Sequence, residues 1–212
     1  MSKIVVSAGP TRESLDDIRF LSNRSSGKMG YALAAAARAA GFDTVLVSGP
    51  TALTPPDGVR TIQVESAAEM AEAVKREAAD ADAVIMAAAV ADYRPAEVFD
   101  GKMKKQPGDL VLRLERTEDI LLSLGRVKRS GQRLIGFAAE ADSLEHYALD
   151  KLQRKNLDWI AANRIGHGEQ GFGADRNAVI LFSSTGKRIP VPLAGKAEIA
   201  RRIIEICLLD RP

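Results

Sequence analysis

The chain has 212 residues, of which 46% are hydrophobic and 27% charged, and its formal net charge is +2. This composition is typical of a globular protein and excludes a disordered, collagen-like or coiled-coil chain. The length predicts a single domain over residues 1–212 with one substantial core. The small net charge argues against nucleic acid as a partner.

The sequence has no feature of a secreted or membrane protein. Cys207 is the only cysteine and cannot form an internal disulfide, and the first residues lack a charged leader and a long apolar signal core. The longest apolar run, residues 83–91, is about half of the ~20 residues that a spanning helix needs. We therefore expect a cytoplasmic protein that makes no membrane contact.

Short β-branched runs alternate along the chain with stretches of helical period. Most of the runs are apolar at consecutive positions, which is typical of strands covered on both faces. The last two flank small polar residues that favour a hairpin turn. The fold class predicted is α/β: a Rossmann-like, doubly wound, mostly parallel sheet with helices on both faces and a C-terminal antiparallel edge hairpin. Strands are predicted at residues 4–6, 44–47, 62–64, 84–89, 110–114, 134–137, 159–162, 179–182 and 189–193.

Helices are predicted at residues 29–40, 67–79, 118–128, 144–155 and 196–209. Ser66 and Glu69 form a capping box at the start of the second helix. Thr117, followed by two acids, is predicted to cap the third helix.

Two segments are too long for simple strand–helix connections, residues 10–28 and 90–109. Each follows a predicted parallel strand, and long loops at the carboxyl ends of such strands usually carry function. In an open α/β sheet, ligands bind outside those ends. The site is therefore expected where the two loops meet.

Residues 25–30, with the sequence SSGKMG, open an Ala-rich helix. Backbone N–H groups at such a helix start can bind an anion, and Gly can also serve only to let the helix approach the sheet; both roles stay open. The motif is not a P-loop, because Met29 follows the Lys and Ser22 stands where the first Gly belongs. Nor is it a full dinucleotide fingerprint, because no acid follows the second strand to hold a ribose.

Lys102, Lys104 and Lys105 form a short basic run in the second long loop. Such a run is often a solvated face. At the ligand-binding rim of the sheet, however, its cations also suit a polyphosphate whose charge must be neutralised during phosphoryl or nucleotidyl transfer.

Other residues give weaker signals. Tyr147 and Lys151 have the spacing of a dehydrogenase pair, and equally of two exposed neighbours one helical turn apart. His146 and His167 lie in different segments, so a structural zinc site is not expected. Cys207 is predicted to be a small buried hydrophobic residue.

Six ordered motifs resemble those of the phosphopantothenoylcysteine synthetase family. They cover nearly the whole chain, and in many bacteria this synthetase is fused to a flavin-dependent decarboxylase. The motifs are residues 8–13 continuing through Asp16, Arg19 and 22–30; 87–94; 102–105; 136–140; 155–158 with 162–163; and 171–172.

The resemblance implies a ligase of coenzyme A biosynthesis that joins 4′-phosphopantothenate to L-cysteine. CTP and a divalent cation, Mg²⁺ or Mn²⁺, drive the reaction through an acyl-cytidylate, with release of pyrophosphate and then CMP. The resemblance also implies a homodimer whose active site is completed by the neighbouring subunit, and a decarboxylase domain as a fused or separate partner. The choice between CTP and ATP stays open.

Carried over by position, the catalytic residues are Lys102, which resembles the cation that stabilises charge on the triphosphate, and Asn23, which resembles the amide that holds the acyl group. Arg19, Asn23, Ala88 and Ala89 are the substrate-binding candidates, and no metal ligand is assigned. The nucleotide-binding candidates are Ala88, Ala89, Asp92, Lys102, Glu118, Asp119, Ile120, Leu121, Phe137, Lys151 and Lys155.

The clearest departure from the family pattern is Glu118, which stands where the family usually has Pro and adds an anion beside the expected phosphates. Ser14 and Asp17 also replace common prolines. Two other functions remain as alternatives: an NAD(P)-dependent oxidoreductase with a similar sheet, and a non-catalytic nucleotide-binding module.

Overall fold

A computed structural model of the chain describes residues 2–105, 107–140, 143–164 and 175–209. The elements run in chain order as β1 (Lys3–Ala8), β2 (Arg12–Ser14), β3 (Phe20–Ser22), α1 (Lys28–Ala39), β4 (Asp43–Ser48), β5 (Arg60–Gln63), α2 (Ala67–Ala78), β6 (Ala83–Met86), β7 (Tyr93–Pro95), β8 (Leu114–Arg116), α3 (Ile120–Arg126), β9 (Arg133–Glu140), α4 (Leu144–Arg154), β10 (Trp159–Arg164), β11 (Arg176–Ser183), β12 (Arg188–Gly195) and α5 (Lys196–Ile204), which continues as a π-helical turn, Glu205–Leu209.

Within the described residues, eight strands form one sheet in the order β5-β4-β1-β6-β9-β10-β11-β12. The pairs from β5 to β10 are all parallel. Strand β11 is antiparallel to both β10 and β12, which makes the C-terminal edge hairpin. The chain reverses its direction of winding between β1 and β6, so the topological switch point lies there. The predicted fold class is confirmed.

Helices cover both faces of the sheet, as the continuous apolar strands predicted. Ile4 and Val6 of β1 pack in one core cluster with Leu33 of α1 and with α5. The intervening Val5 lies in the opposite cluster with Val74 of α2, because successive strand side chains point to opposite faces. None of the helices in the described ranges is long and apolar enough to cross a membrane.

The Ser66 half of the predicted capping box at α2 is confirmed, whereas Glu69 binds the N–H one residue before the cap. The Ser66 side chain accepts a hydrogen bond from the Glu69 N–H at 3.2 Å, and the Glu69 carboxylate accepts one from the N–H of Glu65 at 2.8 Å. This short-range pattern could be recognised from the sequence because all its partners lie within four residues.

The predicted cap of α3 is wrong by two residues. The side chain of Asp119 accepts the Leu122 N–H at 3.0 Å, so α3 begins at Ile120. The Thr117 hydroxyl instead donates to the Ala91 carbonyl. Thr117 therefore joins the segment before α3 to the loop that follows β6.

Two strand predictions are also corrected. Residues 110–114 were predicted as a strand of the main sheet, but only Leu114 is in a strand, β8, which pairs with β7 in a separate two-stranded sheet. Val111 is 88% exposed, so the apolar run there is not a core strand. Strand β6 ends at Met86 and not at residue 89, because the Ala88 N–H is bound by the Ser7 hydroxyl at 3.1 Å.

Candidate functional site

The two long loops meet at the switch point between β1 and β6. Pro10 pairs with Ala89 as an isolated parallel bridge, and the Ala89 N–H donates to the Gly9 carbonyl at 2.9 Å. The hydroxyl of the buried Thr11 accepts the Ala91 N–H at 3.0 Å. The convergence expected from the topology is confirmed.

A second contact ties the loops together further from the sheet. The Asp16 carboxylate, in a residue that is 3% exposed, accepts the N–H groups of Ile18 and Arg19 at 3.0 and 2.8 Å. It also accepts the Met103 N–H at 3.0 Å and forms an ion pair with the Arg19 guanidinium. Hydrogen bonds from the Arg19 guanidinium above all, and then from these N–H groups, hold the pKa of Asp16 well below its usual range.

Helix α1 begins with an open N-terminus in the described structure. Gly27 precedes it with φ of 76°, no side chain caps it, and its first turn has no acid. The first N–H groups of a helix have no intrahelical partner, so they face outward and are available to an anion. Gly30, in contrast, packs on β1: a Cβ there would lie 2.5 Å from the Ala8 Cβ. The motif thus combines an open helix start with a close helix–sheet contact.

A cavity of about 250 Å³, which we call the α1 cavity, opens at this helix start. Three of the residues that line it are lysines: Lys28, Lys151 and Lys196. Hydroxyl, amide and ammonium groups therefore surround a space next to free N–H groups. The lining residues are Ser25, Ser26, Gly27, Lys28, Met29, Gly30, Ala87, Ala88, Ala89, Phe137, Ala139, Lys151, Asn163, Asn177 and Lys196.

Lys28 and Lys196 are close enough for their charges to interact at the α1 cavity. Lys28 pairs with Asp175 at 2.6 Å, and this contact lowers the pKa of Asp175. Burial, and then the nearby Lys28 charge, lower the pKa of Lys196. An anion bound in this cavity would favour the charged form of Lys196 and offset its repulsion from Lys28.

A second cavity of about 250 Å³, the α3 cavity, lies beside the first and shares four residues with it: Ala88, Ala89, Phe137 and Lys151. All the predicted nucleotide-binding residues except Lys102 line it. The lining residues are Met86, Ala88, Ala89, Val90, Ala91, Asp92, Thr117, Glu118, Asp119, Ile120, Leu121, Phe137, Lys151 and Lys155.

Two lysines of the α3 cavity are held in place by neighbouring groups. Lys151 donates to the Phe137 carbonyl at 2.7 Å. Lys155, in a residue that is 9% exposed, donates to Asp119 at 2.8 Å. Although burial opposes it, the hydrogen bonds from Lys155 and from the Leu122 N–H lower the pKa of Asp119. Asp119 therefore joins the cap of α3 to a cation in the cavity wall.

Glu118 does not stand as an isolated anion beside the α3 cavity. Lys75 of α2 donates to its two carboxylate oxygens at 3.0 and 2.8 Å. This contact, followed by a hydrogen bond from Ser123, lowers the pKa of Glu118. Lys75 therefore offsets the negative charge of Glu118, the residue that stands where the family usually has Pro.

The remaining predicted residues lie at different distances from the cavities. The Asn23 amide donates to the carbonyl of Ala89 at 2.9 Å, and Ala89 lines both cavities. Arg19 is engaged with Asp16 and donates to the Met103 carbonyl at 3.0 Å. Lys102 is exposed in the same loop and is not among the described residues that line either cavity. The roles of Asn23, Arg19 and Lys102 remain predictions.

The Tyr147–Lys151 pair does not form a joint site. Tyr147 is 52% exposed and packs edge-to-face on His146 with ring centroids 5.6 Å apart, and of the pair only Lys151 lines the cavities. Cys207 is buried, as predicted, and burial raises the pKa of its thiol. His167 and the motif at residues 171–172 lie outside the described ranges. In those ranges, no group of three or more His, Cys, Asp or Glu side chains is placed to hold a metal ion.

Sequence reasoning did not assign Asn177 and Lys196 to the site, although both line the α1 cavity. They lie at the start of β11 and of α5, far along the chain from residues 25–30. No local motif marks them. Only the packing of α5 beside α1 could have revealed their position.

The structure has the architecture of α/β proteins that bind phosphorylated small molecules or nucleotides, with adjoining cavities at the switch point of a doubly wound sheet. Residues 1–209 match the family described as the DNA/pantothenate metabolism flavoprotein C-terminal domain. The chain belongs to this family, which confirms the recognition made from its motifs.

The coenzyme A biosynthesis bifunctional protein CoaBC of Bacillus subtilis (strain 168) is 49% identical over 210 residues, which are 98% of this chain and 52% of the relative. The chain thus spans about half the length of the curated relatives that it matches. A crystal structure of the C-terminal domain of coenzyme A biosynthesis bifunctional protein CoaBC superposes with a TM-score of 0.82 at 45% identity, covering 97% of this chain and 93% of that chain. A Cab2 mutant in complex with phosphopantothenate-cysteine has the same fold at 16% identity, with a TM-score of 0.80 and coverage of 98% and 85%.

Proposed function

We propose that the chain is a phosphopantothenate–cysteine ligase of coenzyme A biosynthesis that uses CTP. The observation that carries this proposal is the α3 cavity, which gathers every predicted nucleotide-binding residue but Lys102 next to the open start of α1. The name of the Bacillus subtilis relative, a coenzyme A biosynthesis bifunctional protein, supports the same activity.

In the proposed reaction, the carboxylate of 4′-phosphopantothenate attacks the α-phosphate of CTP, and the bond to pyrophosphate breaks. The amine of L-cysteine then attacks the acyl carbon of the acyl-cytidylate, an amide forms, and CMP leaves. Two polyanions must approach each other in the first step, at a large electrostatic cost. The lysines and the helix N–H groups of the two cavities lower this cost, and they do so more strongly as pyrophosphate departs.

The divalent cation is proposed to arrive as part of the metal–nucleotide complex. Mg²⁺ usually takes one or two carboxylates together with substrate phosphates and keeps several waters. The carboxylates of Glu118 and Asp119 in the α3 cavity are already engaged by Lys75 and Lys155. Asp92, which also lines this cavity, is the carboxylate best placed to share the cation with the phosphates.

The oxidoreductase alternative is disfavoured by the region where a dinucleotide would lie. Its ribose is normally held at the carboxyl end of the second strand, here β4. The first long loop packs closely against that strand end: a Cβ added at Gly49 would lie only 1.8 Å from the Pro10 carbonyl oxygen. The Gly49 N–H also donates to the Ala8 carbonyl at 2.9 Å.

The two hairpins in the long loops expose a set of large apolar side chains. We propose that a second copy of this chain covers them, as the family resemblance implies. Sedimentation of the purified chain at micromolar concentration tests this proposal. We also propose that the half of the longer relatives that this chain does not match corresponds to a decarboxylase partner. The exposed residues are Ile18, Phe20, Tyr93, Val98, Phe99, Leu110, Val111 and Leu114.

The ligase proposal is tested by mixing the chain with 4′-phosphopantothenate, CTP and Mg²⁺, first without and then with L-cysteine. We expect one equivalent of pyrophosphate before cysteine is added, and CMP with amide product afterwards. Parallel reactions with ATP determine the nucleotide preference. If neither CTP nor ATP yields pyrophosphate and NADPH binds tightly, the oxidoreductase is supported instead. If a nucleotide binds but no turnover occurs, a non-catalytic module is supported.

A further inference from the structure

The carboxylate of Asp16 is buried in a loop that is otherwise partly exposed, and its oxygens are fully used. Oδ1 accepts the N–H groups of Ile18 and Arg19. Oδ2 accepts the Met103 N–H at 3.0 Å and the Arg19 Nε at 2.9 Å. A buried carboxylate with this many donors is held in one orientation.

Both backbone groups of Met103 are held from the first loop. Asp16 takes its N–H, and the Arg19 guanidinium donates to its carbonyl at 3.0 Å. Further contacts join the same two segments, from the Phe99 N–H to the Leu15 carbonyl at 3.0 Å and from the Asp17 N–H to the Gly101 carbonyl at 3.5 Å. The loop around Met103 has no regular secondary structure, so these contacts fix its register.

The residues on either side of Met103 are Lys102 and Lys104, and both are exposed. Fixing the peptide of Met103 from both sides sets where these two ammonium groups can reach. A flexible lysine-bearing loop would have to be ordered at each catalytic cycle, and this ordering would cost conformational entropy.

We propose that Asp16 is a positioning residue of the ligase: with Arg19 it holds the basic segment of residues 102–105 so that Lys102 can meet the triphosphate. This inference rests on the proposed function. Asp16 itself touches neither substrate nor nucleotide in this assignment and acts only through Lys102. Arg19, predicted to bind substrate, also contributes by anchoring the loop.

The test compares the wild type with Asp16→Asn, Asp17→Asn, Lys102→Gln and the double variant Asp16→Asn/Lys102→Gln. Asn has almost the same shape as Asp but loses the charge, and Arg19 and Met103 lose their anionic acceptor. Asp17 is the matched control, because it is the adjacent acid, its side chain is exposed, and its contact with Gly101 uses only the backbone.

We expect Asp16→Asn to lower the rate of pyrophosphate release at saturating CTP by about tenfold or more, the effect of losing hydrogen bonds to a charged group. CTP affinity should fall less than the rate, because every other nucleotide-binding candidate lines the untouched α3 cavity. Asp17→Asn should match the wild type. The double variant should be no slower than Lys102→Gln alone, because Asp16 acts only through Lys102 and its loss has no further effect once Lys102 is replaced.

The proposal is overturned if Asp16→Asn releases pyrophosphate at the wild-type rate, or if it slows the Lys102→Gln variant by the same factor as it slows the wild type. A loss of CTP affinity equal to the loss of rate would likewise show a general structural defect. If the Asp16 variant does not fold, Met103→Pro removes the anchored N–H and leaves Asp16 in place, with the same expected kinetics.

A physical readout separates failure of this inference from failure of the proposed function. Trypsin cleaves after Lys102, Lys104 and Lys105, and we expect cleavage there to be about tenfold faster in Asp16→Asn than in Asp17→Asn, because local opening controls the rate. If the wild type releases no pyrophosphate but the cleavage difference is found, the ligase assignment fails, while the role of Asp16 in holding residues 102–105 stands. If the cleavage rates are equal, that role of Asp16 is wrong whatever the activity.

Discussion

Replacement of Gly30 by Ala tests the close contact between α1 and β1. The added Cβ would lie 2.5 Å from the Ala8 Cβ and 2.8 Å from the Ser7 carbonyl oxygen. Carbon atoms settle at about 3.5–4.0 Å, so the start of α1 must move away from the sheet by about 1 Å. Overpacking of this kind costs about 1–3 kcal/mol in the free energy of unfolding.

The displacement also moves the free N–H groups at the start of α1. Hydrogen bonds weaken steeply when their geometry is lost, and a misplacement of about 1 Å can lower a rate by about 10²-fold. We therefore expect Gly30→Ala to reduce both stability and pyrophosphate release. Gly195→Ala is the control, because φ is −61° at Gly195 and no heavy atom beyond the adjacent residues lies within 4 Å of the added Cβ.

Thermal and urea unfolding followed by circular dichroism give the stability difference. For a chain of this size, each kcal/mol corresponds to about 2–4 °C in Tm. CTP titration by calorimetry and the pyrophosphate assay give the effect on the site. If Gly30→Ala unfolds at the same temperature as Gly195→Ala and keeps wild-type turnover, the contact with β1 is not tight and the reasoning is wrong.

Three further predictions concern charge. Asn23→Asp places an anion against the negative intermediate, so amide formation should fall about tenfold or more while pyrophosphate release persists; equal yields of amide per pyrophosphate in mutant and wild type would contradict this. Lys75→Met should weaken CTP binding about fivefold by calorimetry, since Glu118 is left unpaired at about 1 kcal/mol, and adding Glu118→Gln should restore it. The Arg60 contact, opposed by burial, lowers the pKa of Glu77 to about 2 from its ordinary 4.5. The stability that this contact gives the fold is therefore complete above pH 4.5 and is lost as the pH falls toward 2. Glu77→Gln should therefore be less stable at pH 7, and urea unfolding should show a loss of about 1–2 kcal/mol, a value limited by solvent screening of the half-exposed Arg60. The variant should also lack the loss of stability at acid pH.

The elements that the sequence predicted well are those with a local signal. Residues 4–6 and 134–137 are apolar at every position because both faces of the sheet are covered, and this pattern needs no knowledge of the partner strands. The Ser66 cap is equally local. The position of the site followed from loop lengths together with a general rule of sheet topology.

The features that escaped prediction depend on distant partners. Residues 110–114, apolar at all positions but Arg113, resemble a strand, yet they lie at the surface beside the β7–β8 hairpin. Nothing within five residues distinguishes a core strand from such a surface segment. Lys75 meets Glu118 across 43 positions of sequence. Whether an acid beside a nucleotide site is harmful or neutralised therefore cannot be decided from its neighbours along the chain.

The wall of the α1 cavity has a consequence for biosynthesis. Residues 25–30 line it together with Asn177 and Lys196, and α5 packs beside α1 in the same core. A nascent chain can therefore build most of the sheet on the ribosome and still have no finished binding site. Ligand capture during translation must wait until the segment after residue 195 has left the exit tunnel, because α5 completes the site that α1 begins.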